Sequence, residues 1–336
     1  MRASVGQAAG AATGAGLATG SPPLLVIAGP TATGKTALAI RTALSLAEAG
    51  IPTEIVSADS RQVYRGLDIG TAKATVEQRA GIPHHGLDLA SPDEPFSLAD
   101  FVAHAQAALA GIRERDGVAI LVGGTGLYLR AIARGIATDS LPADPASRAQ
   151  LEAEFLAVGL EPLVERLRAI APRRAATIDM RNPRRVVRAL EITSVEGDGP
   201  LPAPRGYDGP LAWIGLSLEP AIHREWIANR ARGQFDAGLI EEARALRERF
   251  DPTLPAFSAI GYREAWSVID REASLDVAID ADVARNVAFA KRQRTWFKAE
   301  PGIRWLDPAI GDPFADAVAI ASELASGVRA SRIGMA

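Results

Sequence analysis

The stretch Leu24-Leu25-Val26-Ile27-Ala28-Gly29-Pro30-Thr31-Ala32-Thr33-Gly34-Lys35-Thr36 decides the fold. Its first five residues are apolar and read as a buried parallel strand. The next eight satisfy the pattern G-x-x-x-x-G-K-[ST]. From Thr36 to about Ala49 the sequence reads as a helix. Strand, glycine-rich turn and helix in that order make a phosphate cradle. Glycines let backbone N–H groups turn inward around phosphate oxygens, and the helix N-terminus adds partial positive charge. Lys35 would neutralise terminal phosphate oxygens, and the Thr36 hydroxyl would ligate Mg2+. A di- or triphosphate is expected on Gly29, Thr31, Ala32, Thr33, Gly34, Lys35 and Thr36.

Outward from the cradle, strand and helix alternate. Glu54–Ala58 reads as a second strand, Phe101 to about Arg115 as a helix capped at Ser97, and Val118–Val122 as a third strand broken by Gly123-Gly124. This spacing predicts an α/β fold: a P-loop NTPase-like core whose mostly parallel sheet is covered by helices on both faces. The rhythm changes after Asp139. Residues 146–192 are Arg-rich and helical in pattern, 196–210 form a Gly/Pro-rich linker, and Leu211–Leu218 resembles a core strand again. Helices are expected at 221–249, 261–271 and 280–299. The core is therefore assigned to 22–138 and 206–318, interrupted by a helical insertion at 139–205. Residues 1–21, rich in Ala, Gly, Ser and Thr, read as a disordered extension.

Composition bounds the function. In 336 residues, 48% are hydrophobic and 23% charged, enough to bury a core. No run is long and apolar enough for a transmembrane helix. Cys is absent, which removes disulfides, thiolate zinc sites, iron–sulfur clusters and a thiol nucleophile, and fits the cytoplasm. The net charge of −3 does not suggest a nucleic-acid binder, but its distribution does. From Arg166 to Arg188 there are eight Arg and one acid; from Arg285 to Lys298 there are five bases and no acid. Two concentrated basic runs in an otherwise acidic chain suggest local contact with a polyanion.

Asp59 falls at the carboxyl end of the second strand, the edge where open α/β sheets place ligands. A carboxylate there can accept a proton from an attacking group; its position alone suits a turn-forming Asp equally well. Thr125, after two glycines at the end of the third strand, suits a helix N-cap. The third strand ends without the metal-binding carboxylate of a nucleotide hydrolase, and N-K-x-D is absent, which weakens ATPase and GTPase readings.

DSRQVYRGLDIGTAK at 59–73 resembles the signature of the tRNA dimethylallyltransferase (isopentenyl-tRNA transferase) family. So do GPTATGKT at 29–36, PHHGLD at 83–88, LVGGTGLY at 121–128, RNPRRVVRALE at 181–191, AIGYREAW at 259–266 and KRQRTWF at 291–297, in family order. The resemblance implies transfer of a dimethylallyl group from dimethylallyl diphosphate to N6 of the adenine 3′ of the anticodon. The partner would be the anticodon stem-loop of tRNAs reading codons that begin with U. Asp59 would take the N6 proton, Lys35 and Mg2+ would stabilise the departing diphosphate, Thr125 would line the channel, and Arg230 would contact the pyrophosphate. By the same resemblance Asp59, Ser60, Arg61, Gln62, Thr125 and Arg148 touch tRNA. So do Arg184, Arg185 and Arg188, then Ser258, Gly261, Tyr262 and Arg263, and finally Lys291, Arg292, Arg294, Trp296 and Lys298. On a helix Lys291, Arg294 and Lys298 share one face, and Trp296 offers a ring on which a base could stack. The insertion would grip the stem-loop, and the enzyme would act as a monomer away from membranes. His84-His85 reads as a packing or hydrogen-bonding pair, since adjacent residues do not face the same way. Two other readings stay open: a small-molecule kinase using ATP, and an RNA-binding module whose phosphate cradle is vestigial.

Overall fold

Leu24 to Ala28 are buried at every residue, as a strand covered on both faces must be. Leu24, Val26 and Ala28 pack into one hydrophobic cluster, while Leu25 and Ile27 pack into a second on the opposite face. This is the two-residue period of a strand. A computed structural model describes residues 20–136 and 144–333. Among the described residues, six strands make one parallel sheet: β1 (Leu24–Ala28), β2 (Thr53–Ser57), β3 (His84–His85), β4 (Val118–Gly123), β5 (Leu211–Leu216) and β6 (Ile303–Leu306). Their order is β3-β2-β4-β1-β5-β6. Leu24 lies in register with Ala119 on one side and Leu211 on the other, so β1 and its cradle sit centrally.

The helices in chain order are α1 (Lys35–Glu48), α2 (Val76–Arg79), α3 (Leu98–Glu114), α4 (Gly126–Ala133), α5 (Pro145–Val158), α6 (Glu161–Ile170) and α7 (Pro172–Ala175). They continue as α8 (Pro183–Glu196), α9 (Pro220–Asp236), α10 (Leu239–Arg247), α11 (Tyr262–Ile269), α12 (Leu275–Lys298) and α13 (Phe314–Ile333). Helices α1 and α13 cover one face of the sheet, burying Leu38, Ala43 and Leu46 against Ala317 and Ala321. Helices α3, α4 and α9 to α12 build the opposite layer around Phe101, Leu129, Ile227 and Phe297. Ser97 caps α3 in a reciprocal box with Asp100.

Local departures from expectation have identifiable causes. The helix expected at 221–249 is two helices, because Gly238 takes φ +102° and ends α9. The helix expected from 280 starts at Leu275, where the Ser274 side chain caps it. Strands β3 and β6 were not foreseen; two and four residues show no periodicity to read. Helix α13 crosses the boundary placed at 318. The expected N-terminal extension lies outside the described residues except for Gly20 and Ser21, as does the insertion's first boundary at 139.

Helices α5 to α8 follow one another with no strand between, around their own cluster of Leu163, Val164, Leu167, Val186, Val187 and Leu190. The segment that leaves them pairs with the segment that leads in: Arg205 N–H donates to Gly135 O at 2.8 Å and Gly206 N–H to Arg134 O at 3.1 Å. Gly135 has φ +64°, and any side chain there would overlap Gly206.

The fully buried Glu191 ties this helical unit together. It accepts from Asp144 N–H at 2.9 Å, from Arg148 Nε at 2.9 Å, and from Arg188 Nη1 at 2.9 Å. Burial alone would raise its carboxyl, but the hydrogen bonds from Arg188, the Asp144 amide and Arg148 outweigh this and hold it below the ordinary range. Its stabilising contribution is therefore complete above the ordinary carboxylate range and is lost as pH falls from that range through its lowered native pKa. Glu191→Ala should lower stability at pH 7 by about 2 kcal/mol in urea denaturation, since it strands two arginines and an amide. The gap from wild type should narrow as pH falls below the ordinary carboxylate range; a gap unchanged by pH would show that the charge is not what matters.

Candidate active site

The cradle's backbone explains its glycines. Gly29 takes φ +145°, and a Cβ there would stand 2.5 Å from Leu216 O of β5. Gly34, at φ +84°, turns the chain into α1. Lys35 Nζ donates to Pro30 O at 2.6 Å, and Thr33 Oγ1 to the same carbonyl at 2.9 Å. Burial presses the Lys35 ammonium down to about 7; the Arg230 charge adds to this and Asp59 opposes it. Arg230, from α9, donates through Nη1 to Thr31 Oγ1 at 2.6 Å. Burial lowers its pKa also, against the pull of Asp59 and Asp282. Two cations thus reach a site whose lining carries one carboxylate, Asp59, an arrangement suited to a multiply charged anion.

Asp59 combines both readings of its position. Its Oδ1 accepts from Arg61 N–H at 2.8 Å and Gln62 N–H at 3.4 Å, an Asx-type turn that holds the side chain still. Its carboxylate nevertheless lines the site. Thr125 occupies the N-cap position of α4 but makes no capping bond. Its hydroxyl instead accepts from Ser60 N–H at 3.1 Å, joining the ends of β2 and β4. Gly123 permits this approach, because a Cβ there would overlap Ala58 O.

The loop after Asp59 is fastened from beneath. Lys73 Nζ, buried, donates to Tyr64 O at 3.0 Å and to Asp68 and Asp88 at 2.6 Å each. Glu242 accepts from the N–H groups of Asp68, Ile69 and Gly70 at 2.8–3.2 Å. These bonds present Thr71 and Gln62 to the site.

Two cavities meet at the carboxylate. One, of about 230 Å³, runs along Ala32 to Ala37 with Ser57 and Gln62. The other, of about 400 Å³, opens between Ser60, Arg61, Thr125, Ser258, Arg285 and Asn286. Both are lined by Thr31, Asp59, Thr71, Arg230 and Phe289. Thr36 lines the first. Among the described residues, no group of three or more His, Asp or Glu converges as a metal cage. A cation here would be held by Thr36 and by ligand oxygens, the donor set that suits Mg2+. His85 Nε2 instead pairs with Glu54 at 2.7 Å, and His84 Nδ1 with Ile82 O at 2.8 Å.

The expected RNA contacts divide. Arg184, Arg185, Ser258, Arg263, Lys291, Arg292 and Lys298 are exposed, and Arg294 is half-buried on the Lys291 face. Arg148 and Arg188 direct their charge to Glu191. Tyr262 requires correction as a contact: it is fully buried, packs on Gly70 and donates its hydroxyl to Glu242 at 2.8 Å. The aromatic ring belongs to the core, and Gly261 beside it is also buried. Trp296 is half-buried against Gly126, with Arg130 stacked 4.3 Å from its ring centre. Sequence reasoning passed over Thr71, Phe289 and Gln293. The first lay inside the quoted signature; the others sat beside basic residues that drew the attention.

The family model of the IPP transferases matches residues 62–300. A tRNA dimethylallyltransferase of Anaeromyxobacter sp. (strain K) is 45% identical over 295 residues, covering 85% of this chain and 93% of that protein. That of Thermus thermophilus is 43% identical over 281 residues, covering 82% and 90%. The crystal structure of the full-length tRNA isopentenylpyrophosphate transferase from Bacillus halodurans shares 37% identity at TM-score 0.62, covering 90% of this chain and 98% of that one. A eukaryotic dimethylallyltransferase acting on tRNA shares 25% identity at TM-score 0.70, covering 85% and 74%. A cradle joined to a carboxylate-bearing second cavity, on a chain with these relatives, leaves the kinase reading without support; the chain belongs to the IPP transferase family, the tRNA dimethylallyltransferases.

Proposed function

We propose that this enzyme transfers the dimethylallyl group of dimethylallyl diphosphate to N6 of the adenine 3′ of the anticodon, in cytoplasmic tRNAs that read codons beginning with U. Family membership supports tRNA prenylation. The observation that carries the chemistry is the junction of the two cavities at Asp59, Thr31 and Arg230. A diphosphate fits the cradle side, and an extruded adenine fits the side of Ser60, Arg61 and Thr125. Extrusion costs about a few kcal/mol, which contacts to the flipped base and its backbone must offset.

The adenine N6 attacks the allylic carbon as the bond from that carbon to the diphosphate oxygen breaks. One N6 proton passes to Asp59, whose Oδ1 is held by the Arg61 and Gln62 amides. Charge building on the departing diphosphate meets Lys35, Arg230 and the N-terminus of α1. Mg2+ bound through Thr36 would supply further neutralisation of that charge. The products are N6-dimethylallyladenosine, diphosphate and a proton carried first by Asp59. Arg184 and Arg185 on α8, and Lys291, Arg292 and Lys298 on α12, are exposed, and their charges would meet the RNA backbone.

Asp59→Asn should reduce single-turnover transfer to tRNA by roughly 10²-fold or more, while the Kd for inorganic pyrophosphate stays within about twofold. Transfer near the wild-type rate would remove Asp59 as the base. Lys35 gives a pH signature. Its ammonium, near 7 before binding, is driven upward by the arriving anion. Binding should therefore take up a proton through Lys35 at pH 8 and not at pH 6. Calorimetry in buffers of different ionisation heat should find that wild type takes up nearly one proton more than Lys35→Met at pH 8, and about the same number at pH 6. Equal uptake at both values would show that Lys35 does not face the diphosphate.

A further inference from the structure

We infer that Gln293 is a positioning residue for the diphosphate, acting through Thr31 and Arg230; this rests on the cradle reading above. All three polar groups of Thr31 are held by distant side chains. Its N–H donates to Gln293 Oε1 at 2.9 Å, its carbonyl accepts from His223 Nε2 at 2.8 Å, and its hydroxyl accepts from Arg230 at 2.6 Å. Helices α9 and α12 together fix one residue of the cradle, and Arg230 reaches the site from that residue.

Gln293 is 6% exposed, and both ends of its amide are used. Its Nε2 donates to Gly124 O at 2.9 Å, so one side chain links the cradle to the turn that carries Thr125. The turn's sequence bears the imprint of this contact. A Cβ at Gly124 would overlap Gln293 Nε2, and a Cβ at Gly126 would overlap the Trp296 ring. Gln293 and Trp296 stand three residues apart on the inward face of α12, while Lys291, Arg294 and Lys298 share another face. The glycines of this turn thus admit α12, and Gln293, a neutral residue within its basic run, bonds directly to the cradle.

Removing the amide leaves Thr31 N–H and Gly124 O without partners and frees Thr31 to move with Arg230 attached. A displacement of about 1 Å is enough to spoil contacts to a leaving group. Gln293→Ala should raise the Kd for inorganic pyrophosphate about tenfold, and lower kcat/KM for dimethylallyl diphosphate by about as much. Affinity for tRNA should stay within about twofold of wild type. Gly124→Ala, which displaces the same amide, should act similarly. The double variant Gly124→Ala/Gln293→Ala should be no worse than Gln293→Ala, because the new methyl then has room.

Pyrophosphate affinity within about twofold of wild type in Gln293→Ala would overturn the inference, as would additive losses in the double variant. A parallel fall in melting temperature and tRNA affinity would overturn it too, by making Gln293 merely structural. Failure of the wild-type protein to bind pyrophosphate would instead sink the cradle reading, which keeps the two failures apart.

Discussion

Lys35 and Arg230 repel one another across a pocket that holds a single opposing carboxylate, and the molecule is organised around keeping that arrangement in place. Two cations gathered where water is scarce are unfavourable without an anion, as the depressed ammonium of Lys35 shows. Neither position is set by local structure alone. Lys35 stands at the start of α1 because β1 delivers it there. Arg230 arrives from α9, far along the chain, and is fixed by its bond to Thr31. The sheet order places β1 between β4 and β5, so the loops that line the two cavities converge on one edge.

Around this charge pair lies a shell of contacts that fasten the loop after Asp59. Lys73 is enclosed by Asp68, Asp88 and a carbonyl, and Glu242 takes three consecutive amides of the same loop. None of these four side chains lines either cavity. Their effect is to hold the loop from Asp59 to Thr71 rigid, so that Asp59 and Thr71 meet both cavities. Stillness at the reacting edge is what converts binding into chemistry.

The core was legible because its signals are local. A run of five apolar residues, eight cradle residues and a helix can be read in one pass, and the boundaries of the expected strands moved by no more than two residues. Asp59 was legible by position at a strand end, where it both forms the turn and lines the two cavities. Side-chain direction was not legible. Tyr262 lies inside a quoted motif, but a motif does not reveal whether the aromatic ring points to solvent or to Gly70. Gln293 stood among basic neighbours and showed no charge of its own, although its partners lie 169 and 262 residues away in sequence. Arg148 and Arg188 look like free cations until Glu191 is found between them. The short strands β3 and β6 carry too few residues for a period, and only the pairing of the sheet defines them.

The adjoining bonds of Arg134, Gly135, Arg205 and Gly206 have a consequence for how such a molecule can diversify. The whole helical excursion begins and ends at one spot on the sheet's framework, so its size costs the framework almost nothing in chain entropy. A helical head of different girth could be grafted at those two glycines without re-threading a single strand. The sheet with its phosphate cradle and the helical unit set upon it are thereby free to change at separate rates.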